Sequence, residues 1–156
     1  MTDTAVIDHA AILRILPHRF PFVLVDRILE IEPDRRIVGI KHVAGSEPFL
    51  TEERGGMRVL PAAMLLEAVA QVGAILILSK PENHDLFIFL TGITRARFRR
   101  PVCVGQTVSV EVVVRRLRGA FGQMSGTARV DGSLVGHGTM TFALGPRGSL
   151  PRRPGA

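Results

Sequence analysis

The sequence predicts an α+β domain in which a curved antiparallel sheet wraps around one long central helix. Three observations lead there. Ala62 to Ser79 is apolar on nearly every face, the mark of a helix enclosed by other structure. Consecutive strand signals follow it with no second crossover helix, which favours antiparallel pairing. At 156 residues the chain has the length of a single domain with one core.

Taken in order, Asp8 caps a short helix through Leu13 or Ile15, with Ile7, Ile12 and Ile15 on its apolar side. A Leu-Pro-His-Arg turn at 16–19 leads into strands over Phe22 to Glu32 and Arg36 to Val43. Pro33-Asp34 between them suits a hairpin turn. The loop from Gly45 to Val59 is polar and glycine-rich at Glu52-Glu53-Arg54-Gly55-Gly56, so it is predicted to be flexible. Pro61 fits the first position of the long helix, and Pro81 biases Lys80 out of helical geometry. The helix so bounded is a rod of roughly 30 Å. Glu67 and Gln71, one turn apart near its centre, argue against a membrane span. Strands are then predicted over Leu86 to Arg99, Thr107 to Arg118, Gln123 to Val130 and Ser133 to Leu144. Val108, Val110, Val112 and Val114 recur at period two on one face, and Asp131-Gly132 marks a tight hairpin. The domain is assigned to 1–144, and the Pro/Gly-rich segment 145–156 to a flexible tail.

The net charge of +6 is carried almost wholly by arginine, since Lys41 and Lys80 are the only lysines. Arg147, Arg152 and Arg153 belong to the tail, and without them the charge is +3. Arg95, Arg97, Arg99 and Arg100 cluster on a predicted strand, and Arg115, Arg116 and Arg118 form a second group. Such patches steer acidic macromolecules, or they are solvated strand faces. Nucleic acid is the weaker partner, because the chain has neither tyrosine nor tryptophan, no zinc pattern and no basic helix. No cationic segment followed by an apolar run opens the chain, and the single Cys103 suits a reducing compartment. A cytoplasmic location with no membrane contact is therefore expected.

Three motifs then fall in register: Leu16-Pro-His-Arg-Phe-Pro-Phe-Val-Leu-Val-Asp-Arg27, Glu47-Pro48-Phe49, and Leu60-Pro61 leading to Glu67-Ala-Val-Ala-Gln71. Together with Phe89-Leu90-Thr91-Gly92-Ile93, Arg97-Phe98-Arg99-Arg100-Pro101-Val102 and Val130-Asp131-Gly132, they resemble the 3-hydroxyacyl-(acyl-carrier-protein) dehydratases of bacterial fatty acid synthesis. The likeness runs from about Ile7 to Leu144. It implies a hotdog fold, an acyl thioester substrate held by acyl carrier protein, no cofactor, and an assembly built from dimers. In that family a loop histidine takes a proton from C2, the helix carboxyl group protonates the departing C3 hydroxyl, and the helix N-terminus offers a backbone N–H to the thioester oxygen.

Carried over residue by residue, the resemblance makes Glu67 the helix acid and Ala62 the oxyanion amide, where the family has glycine. The loop histidine is absent, and ungapped counting puts Glu53 in its place. The proline of that loop is Arg58 here. Glu53 is a substitute base or part of a solvated loop, and a carboxylate is a weaker base than imidazole unless its environment changes. Dehydration therefore does not follow from membership alone. Two rivals stand beside it: a hotdog thioesterase using a carboxylate on water or the thioester carbonyl, and a non-catalytic subunit or heteromeric partner of a histidine-bearing relative.

Gln71, four residues beyond Glu67, is placed to orient its carboxyl group. Phe49, Phe89 and Phe98 are candidates to line an acyl channel or simply to pack. Phe89 and Gly92 take substrate-side positions by resemblance, while Arg97, Arg99 and Arg100 are the candidate carrier-protein contacts. His18 reads as a structural hydrogen-bonding group rather than a catalyst. The five histidines show no spacing for a metal set, and Cys103 has no base beside it in sequence.

Overall fold

The computed structural model describes residues 6–53 and 55–147. Helix α1 spans His9–Ile15, and Asp8 caps it by accepting from the Ala11 N–H at 2.8 Å. Strands β1 (Arg27–Glu32) and β2 (Arg36–His42) follow, then β3 (Thr51–Glu52) and β4 (Arg58–Leu60). Helix α2 runs Ala62–Leu78, and a 3-10 turn at Pro81–Asn83 ends the connection after it. The remaining strands are β5 (Leu86–Phe98), β6 (Val102–Cys103), β7 (Thr107–Arg118), β8 (Phe121–Val130) and β9 (Ser133–Pro146).

Six strands form an antiparallel sheet in the order β1-β2-β7-β8-β9-β5, and β3-β4-β6 make a small second sheet. Period-two burial holds on β7, where Val108, Val110 and Val112 are buried against α2 while Ser109 is exposed. Close approach of helix and sheet depends on small residues at two points. A Cβ on Gly73 would overlap Met124, and one on Gly126 would overlap Val69. From Gln71 to Leu78 every residue of α2 is buried, and at roughly 25 cal/mol per Å² of apolar area this packing is the main stabilising term of the domain. On the far edge, Arg36 joins Glu30 and Glu111 at 2.6 Å each, and these hydrogen bonds push its guanidinium pKa up. Among the described residues, no helix is long and apolar enough to cross a membrane.

The structure corrects the sequence reading at four points. Residues 22–26 are not strand. The Leu24 N–H and the Phe22 carbonyl bond instead to the side chain of Gln71, and only the Asp26 N–H reaches a strand, at the Ile40 carbonyl of β2. The loop after Glu47-Pro-Phe is a short hairpin. Gly55 and Gly56 take the positive φ its turn needs, at 89° and 76°, and the Arg58 guanidinium donates to the Gly45 carbonyl at 2.7 Å. Helix α2 is not enclosed on all sides. Ala63 is exposed and Leu66, Glu67 and Ala70 are half-buried, a stripe at helical spacing beside the free edge of β5. Finally, Gly145 and Pro146, placed in the tail by sequence, end β9 opposite Phe87 and Leu86. Residues 148–156 and Arg54 lie outside the described residues.

Candidate active site

Glu67 opens onto a cavity of about 180 Å³ between the middle of α2 and the sheet. Its walls include Ile88 and Leu90 of β5 and Met140 and Phe142 of β9, and its polar groups are His18, Glu67 and Gln71. Gln71 is 1% exposed and fully engaged: Oε1 accepts from the Leu24 N–H, while Nε2 donates to the Phe22 carbonyl and to Glu67 Oε1, each at 2.8 Å. The amide thus holds the carboxyl group in one orientation, and the expected i, i+4 contact is present. A half-buried carboxyl group fixed against an apolar wall is suited to handing a proton to a bound oxygen.

The Leu-Pro-His-Arg turn comes to the same cavity. His18 Nε2 lies 3.5 Å from Glu67 Oε1, with both side chains about one-quarter exposed. Arg19 closes the turn by donating to the Leu16 and His18 carbonyls at 2.9 and 2.7 Å. The His18 ring stacks on Phe22, with centroids 6.0 Å apart, and Phe22 meets Phe49 edge-on at 5.8 Å. Phe49 therefore braces the ring behind His18 instead of facing the cavity. The carboxylate of Glu47, two residues before it, holds the buried Lys41 ammonium at 2.9 Å and caps the Ala44 N–H at 3.0 Å. Sequence reasoning read His18 as structural and did not anticipate the Lys41–Glu47 pair. The signal available for His18 was its place in the Leu-Pro-His-Arg turn, one of the motifs that carry the family resemblance.

A second cavity, about 450 Å³, sits at the N-terminal end of α2 and is lined by Glu53, Ala62, Phe98, Arg99 and Arg100 among others. Ala62 is the first residue of the helix. The Met64 and Leu65 N–H groups both bond to the Pro61 carbonyl, so the Ala62 N–H is among the orphan donors of the first turn. Arg99 and Arg100 surround this end with positive charge, whereas Arg97 lies outward on β5, opposite His137. Within one protomer Glu53 and Glu67 line different cavities. Residues five apart on a helix are offset by roughly 140° about its axis, so Ala62 and Glu67 also face different directions. Phe89 pairs in register with Ala143 and packs edge-on against Phe87 at 6.4 Å, on the strand face opposite Ile88 and Leu90. Gly92 stands opposite Thr141.

A sheet curled over a central helix, with a carboxyl-bearing apolar cavity between them, defines a hotdog-fold protein. Residues 16–139 match the FabA-like domain. The 3-hydroxyacyl-(acyl-carrier-protein) dehydratase FabZ of Desulforamulus reducens is 45% identical over 141 residues, covering 90% of this chain and 99% of that one. The FabZ of Thermomicrobium roseum is 46% identical over 133 residues, 85% of this chain and 89% of that one. Among solved structures, a chain of the dehydratase heterocomplex ApeI:P from Xenorhabdus doucetiae shares the fold with a TM-score of 0.74. It is 18% identical, over 87% of this chain and 91% of that one. The smu.793 protein of Streptococcus mutans, bound to acetyl CoA, shares it with a TM-score of 0.62 at 10% identity, over 84% of this chain and 96% of that one. The chain belongs to the FabA-like family of 3-hydroxyacyl-(acyl-carrier-protein) dehydratases.

Proposed function

We propose that this protein takes a 3-hydroxyacyl thioester presented by acyl carrier protein in the cytoplasm and removes water across C2 and C3, with Glu67 as the acid. The observation that carries the reading is the Gln71-oriented carboxyl group of Glu67 at the apolar cavity. At about 180 Å³ that cavity is below the usual ligand-pocket range of roughly 300–1,000 Å³. In one protomer it holds the reacting end of the acyl group rather than a long chain. The Ala62 N–H serves the thioester oxygen, and Arg97, Arg99 and Arg100 attract the acidic carrier.

A second copy completes this picture. Strand β5 is 13 residues long and, among the described residues, pairs only with β9, leaving Leu90, Ile93 and Phe98 between 41% and 49% exposed. A long apolar edge of this kind calls for a partner strand. A copy laid along it would cover the open stripe of α2 and bring a second helix N-terminus toward the first Glu67. Substrate binding then draws on both protomers, with Phe89 and Gly92 of β5 at the shared boundary.

The test is product identification. Purified protein is given a 3-hydroxyacyl thioester on acyl carrier protein, and both enoyl thioester and free thiol are measured. Enoyl product is expected, and free thiol without it would establish the thioesterase instead. The replacement of the loop histidine by Glu53 favours one alternative, pairing with a histidine-bearing relative. Co-purification and intact-mass analysis that recover only the homomer would remove that alternative.

A further inference from the structure

We propose that His18 is the base of the reaction, taking the C2 proton in the same protomer in which Glu67 protonates the C3 hydroxyl. The inference rests on the dehydration proposed above and replaces the missing loop histidine with one already present. Among the described residues, His18 and Glu67 are the only ionisable side chains lining the mid-helix cavity, and they stand 3.5 Å apart. The 3.5 Å separation leaves Nε2 without a tight partner, and Nδ1 is buried with no hydrogen bond. Nε2, on the Glu67 side of the ring, is the nitrogen placed to meet a substrate proton. The imidazole is also held in place, by Phe22 stacked on its ring and by Arg19 tying the turn that carries it. A base and an acid side by side suit a substrate whose departing proton and hydroxyl lie on neighbouring carbons and on one face.

The step balances on these two residues. The C2–H bond breaks and its proton goes to His18. The electron pair forms the C2=C3 double bond, the C3–O bond breaks, and the hydroxyl leaves as water with the proton of Glu67. His18 is then protonated and Glu67 ionised. Return of the proton across the gap between them, directly or through one water, restores the starting pair without a further base. Glu53 lines the other cavity and has no part in this cycle.

The homomer is assayed for conversion of a 3-hydroxyacyl thioester on acyl carrier protein to the enoyl product, as wild type, H18N, H18A and E53Q. The expected result is a fall in kcat of at least about 100-fold in H18N, with thioester binding within about threefold of wild type. Added imidazole is expected to restore part of the H18A rate. Retention of kcat in H18N, or loss of turnover in E53Q alone, overturns the inference and leaves the dehydratase reading intact. A wild-type homomer that binds the thioester without turning it over also overturns it, and establishes the non-catalytic reading. Failure of the wild type to bind any acyl thioester sinks the dehydratase reading itself. Should H18N and H18A fail to fold, NMR of the wild-type protein decides. The His18 ring resonances shift on adding an unreactive amide analogue of the 3-hydroxyacyl thioester if His18 contacts the reacting carbons, and an unmoved ring overturns its role.

Discussion

The middle of α2 and its N-terminal end present two different chemistries on one rod. At the middle, Glu67 is held by Gln71 against apolar walls, with His18 alongside. At the end, the Ala62 N–H, Glu53 and two guanidinium groups meet in a larger and more open cavity. Helical geometry separates them by about 7.5 Å along the axis and roughly 140° around it, so one protomer does not present both to one substrate atom. In the proposed function, proton chemistry and carrier recognition are therefore assigned to separate regions, and each should answer to its own substitutions.

The largest effect is expected at the mid-helix cavity. E67Q keeps the shape and the Gln71 contact but removes the acid. The rate of enoyl formation should fall by about 10²–10⁴-fold, with an unchanged melting temperature. Equal turnover by E67Q would end the distinction between the two regions.

Next comes Q71L, which leaves the Leu24 N–H and the Phe22 carbonyl unpaired in the interior. A cost of about 2–4 kcal/mol is expected, read by denaturant unfolding, together with a lower kcat because Glu67 loses its orienting amide. Stability unchanged in Q71L would mean that water replaces the amide.

At the other end, the R99E/R100E pair of substitutions should raise KM for the carrier-linked substrate about tenfold at low salt while kcat holds. A short thioester lacking the carrier should be unaffected, and added salt should narrow the difference between the two substrates. Equal effects on both substrates would place the arginines in the chemistry rather than in docking.

The smallest effect belongs to a region outside both cavities. Arg36 bridges Glu30 and Glu111 across β1, β2 and β7 while about 29% exposed. R36M should cost about 1 kcal/mol, a fall of roughly 2–4 °C in melting temperature, with no change in kcat. The carboxylate hydrogen bonds raise the Arg36 pKa, so this contribution is fully present at neutral and acid pH and is lost only as pH rises through the raised value. A change in kcat in R36M would show that the sheet edge is coupled to the site.

Much of this arrangement was legible in the chain. Pro61 and Pro81 bracket α2, Asp8 caps α1, and the alternating valines of β7 identify their buried face, because caps and periodicity act over a few residues. Glu67 and Gln71 were readable as a pair for the same reason, being one turn apart. Residues 22–26 looked like strand because their apolar side chains follow strand composition, yet the Leu24 N–H and the Phe22 carbonyl bond to a side chain about fifty positions away. The polar, glycine-rich run at 52–56 suggested a loose loop, but the bond from Arg58 to Gly45 that ties the hairpin is a long-range contact.

By itself the sequence determined both helices and most of the strands, the hotdog class, the family and the acidic residue at the heart of α2, since all of these are written in local spacing and motif. Tertiary structure alone decided that His18 comes to Glu67, that Phe49 stands behind His18, and that Glu53 stays at the opposite end. Those placements depend on where packing brings residues that are remote along the chain. Burial of apolar surface is non-directional, so the fit of helix against sheet, Gly73 under Met124 and Val69 over Gly126, settles which of them meet.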